Sequence, residues 1–223
     1  MKVVKRILIG VFLLSFGLST AANAYSINYG HNTNGNEFTS PYAGMATETF
    51  AGGTPGFLTG LTWTWTGNGT VLNGDISGVA SAPFGVSAKD TSNYMSVPQN
   101  LSNAPQSVLV TNLGGTYNYF GLWWGSVDTY NTLSFYNGGT LVASFDGTAI
   151  TTPNAANGNQ TAPDTNLYVN FLDLPLFDSF KMTSTQYAFE SDNIAIGAVP
   201  EPTTMLLLGL GLTGLAGVRK FKN

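Results

Sequence analysis

The chain has 223 residues, of which 43 % are hydrophobic and only 9 % charged, with 27 glycines and no cysteine. The formal net charge is −4, but within residues 25–198 two lysines face eleven carboxylates, a balance of −9. Such a surface repels polyanions and argues against nucleic acid as a partner, while the missing cysteines rule out a disulfide scaffold and thiol chemistry.

In chain order, Lys2, Lys5 and Arg6 precede an apolar stretch over residues 7–18 and the small-residue run Ala22-Asn23-Ala24. This is the order of a secretory signal peptide, cleaved after Ala24, so the Sec translocon and signal peptidase are expected partners. Residues 25–44 are dense in turn formers and lack a hydrophobic period, which predicts a loop-like segment with ordered structure starting near Met45. About 175 residues lie between the two hydrophobic ends, enough for one domain with a sizeable core. Lysine, glutamate and arginine are too scarce for a helical bundle, and the abundance of threonine and aromatics predicts an all-β domain over 45–198.

Residues 46–50 read as the first strand. Leu61, Trp63 and Trp65 then alternate with threonines until Gly67-Asn68-Gly69, the pattern of a strand entering a tight turn. The strongest local signal is a hairpin, in which Leu133 and Phe135 alternate before Asn137-Gly138-Gly139 and Leu141, Ala143 and Phe145 alternate after it. Further strands are predicted over 117–126, 167–174, 177–184 and 187–198. Many short strands at such spacing indicate a sandwich or barrel, and a single β-sandwich of jelly-roll type is the expected fold.

The C-terminal region differs in kind. Val199-Pro200-Glu201-Pro202 suits neither strand nor helix and is expected to be extended and exposed. Residues 203–218 carry no charge, and as a helix they span about 24 Å. Arg219, Lys220 and Lys222 follow directly, a basic cluster that would hold that end on the cytoplasmic side of a membrane. The span contains Gly-Leu-Gly-Leu-Thr-Gly at 209–214, a literal match to a dinucleotide fingerprint. Only nine residues follow it, too few for the βαβ unit that motif requires, so the match is accidental.

The order VPEP, apolar span and basic cluster resembles the PEP-CTERM sorting signal of Gram-negative surface proteins. The resemblance implies an exosortase partner, a membrane-embedded enzyme that recognises the Pro-Glu-Pro motif, removes the tail and leaves the protein at the surface or in the matrix. A second resemblance covers the body. YFGLWWGSVDTYNTLSFYNGGTLVASFDG, NGNQTAPDTNLYVNF and STQYAFESDNIAIG are similar to exosortase-dependent surface proteins with a YFGLxWGSxDTYN signature and an ending FExDNIAxG. No enzymatic activity comes with that family, and this chain departs from it at Ser191, where an aliphatic residue is the rule.

His31 is the sole histidine, so nucleophile triads and zinc sites have little to be built from. A carboxylate pair of the glycosidase kind remains, but eleven acids always offer some pair, and no catalysis is expected. A structural calcium is the one cofactor the residues suggest. Glu48 on the first strand and Asp192 on the last offer hard oxygen ligands, as in the carbohydrate-binding jelly rolls this pattern resembles, and the alternative is that both bond backbone or water. Trp123 and Trp124 are adjacent and face opposite ways on a strand, so one is expected in the core and the other at the surface. Trp63, Trp65, Trp124, Asp128 and Tyr130 are the candidate glycan contacts, and burial in the core is the alternative for the tryptophans. The sequence thus reads as an exported surface or extracellular-matrix protein, with a carbohydrate-binding module acting in exopolysaccharide or biofilm as the alternative.

Overall fold

A computed structural model describes residues 25–53, 63–103, 105–150 and 156–199. The expected signal peptide (residues 1–24), residues 200–202, the apolar span and the basic cluster fall outside the described residues. Among those described, no helix is long and apolar enough to cross a membrane. The protein is all-β: the only helix among the described residues is one turn, α1 (Gly147–Ile150).

The N-terminal strands are β1 (Ser26–Asn28), β2 (Asn32–Asn34), β3 (Glu37–Thr39) and β4 (Ala46–Glu48). Next come β5 (Thr64–Gly67), β6 (Thr70–Asn73), β7 (Asn93–Val97), β8 (Ser107–Thr111) and β9 (Tyr119–Gly125). The last five are β10 (Asn131–Asn137), β11 (Thr140–Asp146), β12 (Leu167–Leu172), β13 (Ser179–Ser184) and β14 (Phe189–Gly197). One antiparallel sheet of seven strands runs β1-β12-β9-β14-β7-β6, with β4 also on β14, and a second of five runs β11-β10-β13-β8-β5. Neither closes into a barrel. The strand β14 is the organising element: β9 flanks it on one side, while β7 and β4 share the other, β7 at Phe189 to Ser191 and β4 at Ile194 to Ile196.

Alternation built these elements as expected. On β9, Phe120, Leu122 and Trp124 enter the main core, and Tyr119, Gly121, Trp123 and Gly125 face the other way. The core joins the two sheets: the Phe120 ring lies 5.0 Å from Phe135 and 4.8 Å from Phe180, both on the five-stranded sheet. Ser191 also turns inward, fully buried, with its hydroxyl 3.4 Å from the Met182 sulfur. The inward position of β14 thus accommodates a small polar residue.

One expectation needs correction. Residues 25–44 are not simply a loop: β1 pairs with β12, Ser26 opposite Leu172, and β2 and β3 form their own small sheet. Three-residue strands are too short to show a period, which is why the sequence hides them. The strand running up to Gly67-Asn68-Gly69 forms as expected, and beyond it β5 pairs with β8 in one sheet and β6 with β7 in the other. The chain changes sheet there, and a Cβ on Gly67 would lie 2.2 Å from the Ser107 carbonyl oxygen. The hairpin of β10 and β11 forms as predicted, but its two positive-φ residues are Gly138 (55°) and Gly139 (79°), with Asn137 already paired to Thr140.

Candidate functional site

The outer face of the seven-stranded sheet carries buried acids. Phe189, Ser191 and Ile194 of β14 face the core, so Glu190 and Asp192 project to the opposite side, where residues 30–44 and 74–92 cover them. Glu190 is almost fully buried and accepts from the Ser81 backbone N–H (2.9 Å) and the Ser126 hydroxyl (2.9 Å). Burial outweighs these bonds and pushes its pKa up to about 8. Asp192 accepts from the Asn193 N–H (2.6 Å) and from the Ser92 hydroxyl (3.2 Å), which also approaches Asp90 at 2.7 and 2.8 Å. Burial first, then the neighbouring Asp90 charge, holds the Asp192 carboxyl well above its ordinary value.

The calcium candidates sit on paired strands, offset from one another. β4 does meet β14, but Glu48 lies opposite Ile194, two residues past Asp192 and beyond the bulge between Asp192 and Ala195. One Glu48 oxygen accepts from the Phe50 N–H at 2.7 Å, and both Asp192 oxygens accept from protein donors. Among the described residues no three His, Asp or Glu side chains converge to hold a metal ion.

The candidate glycan contacts separate into two groups. Trp63 and Trp124 are buried in the core, with Trp65 packed against it. Trp124 stacks on Phe189 at 4.2 Å, and Trp63 and Trp65 both meet the edge of Phe180. The sharing of a face by Trp63 and Trp65 was legible, but that face is the inner one, so none of the three offers a platform for a sugar. Trp123, the neighbour expected at the surface if Trp124 is core, is buried as well, beneath Phe38 at 5.1 Å. His31 stacks in turn on Phe38 at 4.0 Å. Asp128 and Tyr130 line a polar cavity of about 640 Å³ together with Glu190 and Tyr187. Burial raises the pKa of Asp128, against the lowering effect of its hydrogen bond with Tyr130.

The outer face of the five-stranded sheet is partly exposed, with Ser134 and Ser179 buried between larger neighbours. The register Leu109–Lys181–Ser134 puts these residues on that face, with Ser179 across from Tyr136 and Thr183 across from Thr132. A groove of about 810 Å³ lies over it, lined by Lys181, Tyr136, Leu109, Thr111, Asn112 and Asp178. Of the body's two lysines, Lys89 pairs with Asp75 at 2.6 Å, whereas Lys181 lies over the Tyr136 ring, 5.4 Å from its centre. Asp178 accepts from the Gly138 N–H and the Ser179 hydroxyl, both at 2.8 Å, which lowers its pKa. The sequence signal for this groove is the Thr-, Ser- and Lys-bearing alternate positions of β10 and β13.

A fourth feature sits where the body ends. Beyond the Tyr119–Gly197 pair, Asn118 reaches across to Val199: its side-chain carbonyl accepts the Val199 N–H at 2.8 Å and its amide donates to the Val199 carbonyl at 2.9 Å. The Asn118 backbone is held as well, its N–H on Gly197 and its carbonyl on the Leu174 N–H at 3.0 Å. Val199 is the only member of the VPEP motif among the described residues, and no local sequence signal marked Asn118 as its partner.

No curated protein and no solved structure matches the chain. A family model does, over residues 198–220, beginning one residue before the Asn118 contact and running through the apolar span into the basic cluster. It is confined to this terminal segment and leaves the β body unassigned. The segment is a PEP-CTERM protein-sorting motif, and the chain is a PEP-CTERM sorting-domain protein.

Proposed function

We propose that this protein is an exosortase substrate displayed at the cell surface or in the extracellular matrix of a Gram-negative bacterium. Residues 1–24 direct it through the Sec translocon and are removed by signal peptidase. Residues 203–218 with Arg219, Lys220 and Lys222 hold the precursor in the inner membrane until an exosortase reads Pro200-Glu201-Pro202. The body is a non-catalytic sandwich of jelly-roll type. The observation that carries this reading is the sorting-motif match at 198–220, which starts where the last strand of the body ends. Mass spectrometry of protein recovered from the cell surface tests it: loss of everything beyond the VPEP region is expected, and an intact Asn223 refutes it. Substituting Glu201 should trap precursor in the inner membrane.

The groove over the five-stranded sheet favours a second reading, a carbohydrate-binding role for the same displayed body. Lys181 and Asp178 leave that groove without net charge, and with Thr111, Asn112 and the Tyr136 ring it offers hydrogen-bonding groups and an aromatic edge suited to a neutral glycan. Calorimetric titration of the purified chain with cellohexaose, maltohexaose and dextran tests this. Heat that is lost in Lys181→Ala supports it, and no heat with any of the three rejects it.

A further inference from the structure

The sorting motif is not joined to the body by a free tether. The chain is paired in β14 as far as Gly197, and the Asn118 side chain then engages both polar backbone atoms of Val199, imitating one more rung of the β ladder. This leaves Pro200, Glu201 and Pro202 as the only residues between the clamp and the apolar span. Releasing Ala198 and Val199 would add roughly 7 Å of extended chain. It would also restore backbone freedom that an enzyme capturing the motif must remove again.

We propose that Asn118 is a positioning residue for processing. By fixing Val199 at the rim of the seven-stranded sheet it presents the Pro-Glu-Pro motif at a set distance from the folded body, and it protects the chain up to Val199 so that the mature protein retains that residue. This rests on the reading that an exosortase processes the chain. Asn118 itself touches no reacting atom.

The test follows conversion of precursor to mature protein in pulse-chase, with the mature C-terminus read by mass spectrometry. Three full-length chains are compared: the natural one, Asn118→Leu, and one with Gly-Ser-Gly-Ser inserted between Val199 and Pro200. Both variants should slow conversion on the order of tenfold, because the ordering of the motif is lost in each. Asn118→Leu should also yield ragged ends that lack Val199. Its melting temperature should stay near that of the natural chain while the Val199 amide exchanges faster, which separates positioning from a fold defect. The insertion leaves Asn118 and its contacts intact and gives a reading even if Asn118→Leu folds poorly. Equal conversion rates and the same single C-terminus in all three chains overturn the clamp while leaving sorting intact. A natural chain that keeps Asn223 overturns both.

Discussion

The two large sheets share a core but treat their outer faces in opposite ways. On the seven-stranded sheet that face carries Trp123, Tyr168, Glu190 and Asp192, all buried beneath segments from residues 30–44 and the 74–92 loop. On the five-stranded sheet it carries Thr132, Lys181 and Thr183, all partly exposed. The difference teaches that a β face is defined by what the chain lays over it. Glycine makes the cover possible on β9: a Cβ on Gly121 would lie 2.4 Å from the Tyr119 hydroxyl, and one on Gly125 would meet Pro83 at 3.1 Å. The covering layer is fastened by polar groups as well, Asn193 donating to the Phe38 carbonyl and Tyr168 to the Asn193 carbonyl, each at 2.9 Å.

Removing the cover's central contact should have the largest effect. Trp123→Ala empties the space beneath Phe38 and should cost about 3–5 kcal/mol of stability in denaturant unfolding. A loss below about 1 kcal/mol would mean the outer layer is not a second core.

The covered face should also make stability depend on pH. Folded Glu190 titrates at about 8, against an ordinary glutamate value near 4.3 in the unfolded chain. The folded protein therefore keeps a proton that the unfolded chain releases. Stability from this group is fully present below about pH 4 and is lost as pH rises through the folded value, with a slope of at most about 1.4 kcal/mol per unit. Asp192, raised in the same direction, adds to the trend. Glu190→Gln keeps a neutral amide for Ser81 and Ser126 and should flatten the profile, making the variant the more stable protein near pH 9. Melting curves from pH 5 to 9 check this, and an unchanged slope in the variant would count against the assignment.

The smallest effect belongs to the partly exposed face. Thr183→Ala, at a position comparable to Trp123 but on the uncovered sheet, should change stability by less than about 0.5 kcal/mol. A loss as large as that of Trp123→Ala would mean that this face too is covered, and the contrast between the sheets would collapse.

Much of the body was legible. The hairpin of β10 and β11 was readable because strict alternation and a two-glycine turn are local properties, and β9, β12, β13 and β14 followed from the same period. The short strands β1 to β3 were not, because three residues carry no period; β1 in addition draws its pairing from β12, far away in sequence. Of the candidate sites, the meeting of β4 with β14 was foreseen, while the placing of Glu48 opposite Ile194, beyond the bulge, was not. Trp63, Trp65 and Trp124 went to the core because aromatic area stabilises most when removed from water. The burial of Glu190, which lines the polar cavity with Asp128 and Tyr130, was not legible, because it depends on Ser81 and Ser126, more than sixty residues away.

By itself the sequence determined the all-β class, the position of the long strands and the C-terminal sorting motif, since strand alternation and a contiguous recognition segment are written in neighbouring residues. Only the tertiary structure decided which sheet face is roofed, which acids lose their water and where the sorting motif is clamped. The reason is that alternation assigns side chains to a face without saying what will lie over it. That is settled by long-range packing, as when Phe38 covers Trp123 and Asn118 reaches Val199.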